Sequence, residues 1–305
     1  SFGQARFTDT HFTANRAEQG GALSLLNTWI SSLSFQWGFT AMERVRFDSN
    51  HANMNGGAIF GGGVPVFDQV SFVRNHASQT GGAIAVTGAT PVIAQASFVD
   101  NSAQIRGGAI SIRNAHQELL NLSFSGNQVI DPAGSGSDIH VYGDRTISGS
   151  ARLTHVTLIG SDADGGAALA VSDIGGRAWL YNSIVSAAPG AFACGSINIT
   201  SDGGNAIPAE CGAQAPSDWV INTFADLQLS ALSNSGSFTA GFLPVIGSGL
   251  IDAVDCPPER PLDQRGIATP QDGDNNGEAR CDTGAVERRP AEPGANYATF
   301  RNGFE

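Results

Sequence analysis

The sequence predicts an all-β chain, wound as a right-handed parallel β-helix with a disulfide-stabilised C-terminal cap, and three observations predict it. A phrase of phenylalanine, asparagine and a glycine pair recurs along the chain, from "NRAEQGGALSL" and "NHANMNGGAIF" to "NHASQTGGAIAV" and "NSAQIRGGAISI". The apolar runs within it alternate with the period of a strand. All four cysteines stand outside the repeats, from Cys194 onward.

The repeat comes first. Phe12/Asn15, Phe47/Asn50, Phe72/Asn75, Phe98/Asn101 and Phe124/Asn127 keep one offset, and successive phenylalanines lie 35, 25, 26 and 26 residues apart. A period in the twenties built on β-type residues signals a solenoid. The first spacing is longer because "NTWISSLSFQWGF", residues 27-39, is inserted there. Val70 and Phe72, Leu122 and Phe124, Ile84 and Val86, and Ile110 and Ile112 mark short strands that cannot bury an apolar face alone. Stacking coils about 4.8 Å apart pairs every strand and lines up like side chains.

The corners follow from the same phrase. Gly56-Gly57, Gly81-Gly82 and Gly107-Gly108 suit turns with positive φ and little room for a Cβ. The asparagines Asn15, Asn50, Asn75, Asn101 and Asn127 are expected to tolerate the left-handed conformation. As a stacked structural ladder they would satisfy the backbone groups of one corner. The expected organisation is a repeat region at 1-190, irregular coils of the same solenoid at 191-253, a cap with an Asp-rich loop at 254-289 and a tail at 290-305. The whole makes seven to ten coils. The chain opens inside a repeat, so further coils are expected before Ser1.

Composition narrows the function. The 305 residues include 39 glycines, yet 41% are hydrophobic, which suits a folded chain with many turns. A net charge of −12 and no lysine argue against a nucleic-acid partner and against any Schiff-base lysine. No run of 18 apolar residues exists, so no transmembrane segment is expected. Cys194, Cys211, Cys256 and Cys281 suit two disulfides in an oxidising compartment; neighbouring pairs are the simplest of three connectivities.

The paired signatures "FVRN" and "GGAI" resemble the repeats of the polymorphic outer membrane proteins, a family of bacterial surface β-helices, over roughly residues 1 to 175. From Ser183 to Glu287, "SIVSA", "CGSINITSDGGNAIPAEC", "LPVIGSGLIDAVDC", "LDQRG" and "DGDNNGEARCDTGAVE" are similar to the end of secreted bacterial β-helix proteins with a choice-of-anchor Q region. In those proteins this run closes the solenoid. "FRNGFE" resembles a short C-terminal tail of some proteobacterial secreted proteins. The likeness does not extend to a C-terminal membrane barrel, so that anchoring is not carried over. The resemblance implies a secreted or cell-surface bacterial protein, with adhesion as its suggested role.

Several residues invite chemistry. Asp272, Asp274 and Asn276 alternate before Gly277, as in the first half of a calcium loop, and Glu278 and Asp282 stand close enough to add oxygens. A solvated acidic turn is the plain reading; three carboxylates this close favour a structural Ca²⁺ tied to the disulfide at Cys281. Asp263 and Arg265 in "LDQRG" are expected to form a buried ion pair pinning the cap. His51 and His76 should stand about 5 Å apart, but Arg16 and Ser102 hold the flanking slots, so a solvated ladder is expected there and not a metal.

An enzyme would need clustered carboxylates on one face. The outward positions Ser24, Phe60, Ala85, Ser111 and Ala170 read as a flat, small-residue face, and Thr13, Asp48, Val73, Val99 and Ser125 hold a single acid. Asp162 and Asp164 precede a glycine pair, where turn duty explains them. The small face is expected to be covered by the C-terminal segment, by the insertion carrying Trp29, Phe35 and Trp37, or by a second subunit. The tail, with Tyr297, Phe300 and Phe304, is expected to dock. The sequence thus predicts a non-enzymatic extracellular or cell-surface protein acting in adhesion or self-assembly, as a filament subunit or on a surface or carbohydrate ligand. The alternative is a carbohydrate-active enzyme, a polysaccharide lyase or glycoside hydrolase acting on acidic polysaccharide.

Overall fold

The fold is seen in a computed structural model that describes residues 5–25, 41–62, 66–88, 92–160, 166–172, 174–188, 190–212, 214–258, 261–290 and 292. The insertion at 27–39, Asp162, Asp164 and the tail residues Tyr297, Phe300 and Phe304 lie outside the described residues.

The repeat forms a parallel β-helix. Its strands assemble into sheets of 3, 11, 5 and 7 strands among the described residues, and every pairing between them is parallel. One coil serves as pattern for the rest. Val70–Val73 lies in the long sheet, His76–Ala77 in the five-stranded sheet and Ile84–Thr87 in the seven-stranded sheet. The main path of the long sheet stacks nine rungs, from His11–Thr13 to Trp219–Val220, within the seven to ten expected.

Register turns the sequence period into packing. Phe12, Phe47, Phe72, Phe98 and Phe124 stand directly over one another, with ring centroids 4.9, 4.9, 4.8 and 4.6 Å apart and planes within 7° of parallel. From Phe47 onward these rings are fully buried, each worth roughly 1.5–3 kcal/mol against exposure. Inward columns such as Ile59, Ile84, Ile110 and Ile139 fill the rest of the bore.

The two glycines of each pair do different work. Gly81 has φ +69°, the left-handed region that the turn demands. Gly82 does not, but a Cβ there would meet the Gly108 carbonyl oxygen of the next rung at 2.0 Å. At the asparagine corner the left-handed residue is the one before the ladder: Ala14, Ser49, Arg74 and Asp100, with φ 51–56°. The asparagines themselves are not in that conformation, contrary to expectation. Their place is held by hydrogen bonding.

That bonding repeats from rung to rung. Asn75 Nδ2 donates to Asn101 Oδ1 at 2.9 Å and to the Phe47 carbonyl at 3.0 Å, while its Oδ1 accepts from the Asn50 amide and from Asn50 Nδ2. Asn15, Asn50, Asn101 and Asn127 belong to the same chain of bonds. The pattern resumes later without the Phe-x-x-Asn signature. Asn205 Oδ1 accepts the Ser183 amide at 2.8 Å, Asn205 Nδ2 reaches the Leu180 carbonyl, and Asp218 Oδ1 takes the next place below Asn205.

The two disulfides are Cys194–Cys211 and Cys256–Cys281. Cys194 sits on a rung of the seven-stranded sheet and Cys211 in the short helix Ala209–Cys211; both belong to the solenoid core, so the first bond seals that core near its end. After Val220 the parallel rungs stop. Residues 224–258 and 261–290 fold back along the outer face of the long sheet, held together by antiparallel bridges such as Val254 with Cys281 and Gln271 with Arg280. The irregular coils expected through 253 therefore end near 220, and the cap begins earlier than the sequence suggested.

This cap covers a different face from the one expected. It lies on the serine column Ser71, Ser97, Ser123 and Thr157, not on the column of Ala85 and Ser111. The Ala240 amide donates to Ser97 Oγ, Ser123 Oγ donates to Gln264 Oε1 and the Ala285 amide donates to Thr157 Oγ1. Ile159, Ile184 and Ala206 of the sheet pack against Phe224, Leu227, Leu229 and Phe242. Hydroxyls on a flat sheet give a docking segment both contact area and hydrogen-bond partners.

Candidate functional site

Two places hold the chemistry-bearing residues: an acidic loop in the cap and a groove on the solenoid. In the loop, oxygens of Asp252, Asp272 and Asp274 lie within 4.8 Å of one another. Asp252 is buried and comes from the turn before Val254; the sequence reading missed it because twenty residues separate it from Asp272. Its Oδ1 accepts the Arg280 amide and its Oδ2 the Asp274 amide. Burial, and secondarily the charge of Asp274, push its carboxyl above the usual range.

The loop is wrapped by its own amides. Asp272 accepts from the Asn276 and Gly277 amides, and Asp274 from the Asn276 amide and from Asn276 Nδ2. The other two residues expected to ligate stand elsewhere. Glu278 is exposed and outside the cluster. Asp282 is fully buried, its Oδ1 accepting the Asp252 amide and its Oδ2 the Arg288 amide. Burial and the neighbouring Glu287 raise its carboxyl well above the ordinary value. Asp282 holds the cap's core together while Asp272 and Asp274 face outward.

Asp263 and Arg265 form the centre of a buried network. Arg265 Nε donates to Asp263 Oδ2 at 3.0 Å and its Nη1 to Glu292 Oε1 at 2.6 Å, and its third nitrogen reaches the Glu287 carbonyl. Asp263 also accepts from the amides of Arg265, Ile267 and Glu287. The charges of Asp263, Arg265 and Glu292 are paired and buried, and they tie the cap segments to one another.

The histidines stand in a column. Arg16, His51, His76, Ser102 and Gln128 stack in register, with the two imidazoles 5.0 Å apart and His76 Nδ1 at 2.9 Å from Ser102 Oγ. Burial, with His51 beside it, lowers the His76 pKa.

Phe60, Ala85 and Ser111 of the face read as flat form the floor of a groove of about 550 Å³. Ser24, Phe60, Ala85, Ser111, His140 and Ala170 run in register along the seven-stranded sheet; His140 was absent from the sequence reading. Lining residues on the glycine-turn side are Gln19, Gln79, Thr80, Ile105 and Arg106, and on the far side Thr87, Arg113, Tyr142 and Asp144. These turn residues and strand ends make the face concave. No periodic apolar signal marks them.

The groove's charges are arranged unequally. Arg106 stacks over the Tyr142 ring at 5.2 Å, and neither Arg106 nor Arg113 has an ion-pair partner among the described residues. Asp144, by contrast, is saturated. Its Oδ1 accepts from the Thr146 hydroxyl and the amides of Thr146 and Ile147, its Oδ2 from Asn114 Nδ2, and these bonds hold its carboxyl far below the usual range. Beneath them His140 is buried between Ser135 and Ser172, and that burial lowers its pKa to about 4, keeping it neutral.

No helix among the described residues is long and apolar enough to cross a membrane. Residues 44–62, which carry Phe47, Asn50 and the Gly56-Gly57-Ala58-Ile59 run, match the model of the Chlamydia polymorphic membrane protein repeat. No curated protein and no solved structure matches the chain. The stretch is thus similar to a repeat of surface proteins, and together with two disulfides of the kind formed in oxidising compartments it points to the cell surface or outer membrane.

Proposed function

We propose that this chain is a non-enzymatic extracellular or cell-surface β-helix that works by contact, in adhesion or in assembly with further copies. The groove carries this reading. Among the described residues its lining holds a single carboxylate, Asp144, whose bonds staple a loop. Glycoside hydrolysis uses two carboxyls about 5 to 9 Å apart, one of them free to move a proton. A lining without the acid pair of a glycoside hydrolase is better suited to holding a glycan than to hydrolysing it.

Assembly has its own support. Trp219–Val220 pairs on one side only among the described residues, and both residues are exposed. An unpaired parallel rung is a template for another strand.

A structural calcium ion belongs to the same proposal. The cluster of Asp252, Asp272 and Asp274 offers hard oxygen donors within the span of one cation's coordination shell. It sits beside Cys281, where an ion would brace the cap on the sheet.

The test is to incubate the purified protein with acidic polysaccharides and assay new reducing ends and unsaturated products, while measuring retention on coated surfaces and the scattering of the protein alone. Retention or assembly without product is expected. Product release at enzymatic rates would overturn the contact reading.

A further inference from the structure

We propose that the groove binds an acidic oligosaccharide, a chain bearing carboxylates or sulfates, laid along the solenoid axis; the inference rests on the contact reading above. Four observations converge on that chemistry. The groove runs from the rung of Gln19 to the rung of Tyr142, about 19 Å at a rung spacing of about 4.8 Å, so it suits a linear polymer more than a compact metabolite.

Its cations are available. Most arginines on the neighbouring corners are consumed by carboxylates: Arg44 by Asp9 and Glu43, Arg46 and Arg74 by Asp48. Arg106 and Arg113 are exposed, have no carboxylate partner among the described residues and line opposite sides of the groove. On a protein of net charge −12 an anion is not attracted to the surface at large, so two guanidiniums without a carboxylate partner among the described residues, lining one channel, define where an anionic ligand would sit. Guanidinium suits carboxylate and sulfate because its fork donates two parallel hydrogen bonds to such a group.

The remaining lining fits a sugar. Gln79 offers a side-chain amide for hydroxyls, and Phe60 offers a ring against which the apolar face of a pyranose packs. The Arg106 stack on Tyr142 orients both groups at one end.

An acidic peptide fits less well. Peptides commonly bind by adding a strand to a sheet edge. The strand Ile84–Thr87 in the groove floor is hydrogen-bonded on both sides, to Ile59–Gly61 and to Ile110–Arg113, so no edge is free there.

The experiment is calorimetric titration of the whole chain with size-defined polygalacturonate and heparin oligosaccharides, with a neutral maltooligosaccharide and poly-glutamate as comparisons. Binding of at least one acidic oligosaccharide is expected, weakening as salt rises, with an affinity loss of tenfold or more in the Arg106→Gln/Arg113→Gln double variant and a smaller loss in Tyr142→Ala. A readout without variants accompanies it: bound oligosaccharide should protect Met54 and Tyr142 from hydroxyl-radical oxidation. Absence of acidic-oligosaccharide binding, equal binding of the neutral chain, tighter binding of poly-glutamate, undiminished binding by the double variant, or no protection of Met54 and Tyr142 would each overturn the proposal. Cleavage of an oligosaccharide bound in the groove would keep this site and overturn the contact reading instead, so the two can fail separately.

Discussion

Asn127 Nδ2 donates to Asp138 Oδ1 at 2.8 Å, so the asparagine ladder meets a carboxyl inside the solenoid. Asp138 is fully buried in register with Ala83 and Ala109, and its Oδ2 has no hydrogen-bond partner among the described residues. Burial outweighs the Asn127 bond and pushes its pKa up to about 7.

A pH dependence follows from that carboxyl. The folded chain holds the proton more tightly than the unfolded one, whose carboxyl titrates near 3.8. Stability attributable to Asp138 is therefore intact below about pH 4 and is lost as pH rises toward 7. Asp138→Asn keeps the acceptor for Asn127 and removes the charge. It should stabilise the protein at pH 8 by roughly 2–4 kcal/mol and leave it nearly unchanged at pH 4. Thermal melts of both proteins across this range check it; a difference that stays constant with pH removes the explanation.

Position along the ladder sets the cost of breaking it. Asn75→Ala leaves the buried Asn50 amide without its side-chain acceptor and removes the bonds to Asn50 Nδ2, the Phe47 carbonyl and Asn101 Oδ1, although Asn50 Nδ2 keeps the Phe12 carbonyl and Asn101 Oδ1 keeps the residue-75 amide. Each buried polar group left unmet costs about 1–3 kcal/mol, so a loss of about 2–4 kcal/mol is expected. Asn15 is exposed and gives up only its donation to Asn50, so Asn15→Ala should cost about 1 kcal/mol or less. Denaturant titration and amide exchange at the flanking rungs would separate the two variants; equal costs would mean the ladder is not cooperative.

These contrasts show what was legible before any coordinates. Phe72 and Asn75 were readable because each must match a neighbour one coil away, and that need repeats in the sequence. Ser183, Asn205 and Asp218 continue the same corner with three different side chains, any of which supplies the acceptor or donor, so no signature survives. The cap was readable as a unit but not in its placement. Its contacts, such as Ala285 with Thr157, join residues 128 apart and follow no period. Asp252 escaped for the same reason, and the groove because turn residues, not strands, raise its sides.

The buried cap network predicts a local failure. Arg265→Ala would leave Asp263 and Glu292 without their shared cation, a change that costs about 3–5 kcal/mol when the pair is buried. Because Asp263 also accepts three backbone amides, the loss should release residues 261–290 from the sheet while the Phe ladder stays packed. Limited proteolysis would show early cleavage in that segment alone. Simultaneous loss of protection in the rungs around Phe98 would mean that cap and solenoid unfold as one unit.

Calcium makes the last prediction, and its sign is set by mass action. An ion held by the folded loop and not by the unfolded chain stabilises by RT ln(1 + [Ca²⁺]/Kd), about 2.7 kcal/mol at a hundredfold excess over Kd. Millimolar Ca²⁺ should therefore raise the melting temperature, and a chelator should reverse the rise. Asp274→Asn removes one of the three clustered charges without touching Asp252, whose two oxygens cap the Asp274 and Arg280 amides. That variant should lose most of the calcium response while melting close to the parent in chelator, or slightly above it, since repulsion among the remaining acids falls. Magnesium should substitute poorly, because it favours a tighter octahedral shell that keeps its waters. A melting temperature that ignores both calcium and chelator would leave the loop as an acidic turn held by its own amides, with Asn276 and Gly277 satisfying Asp272 unaided.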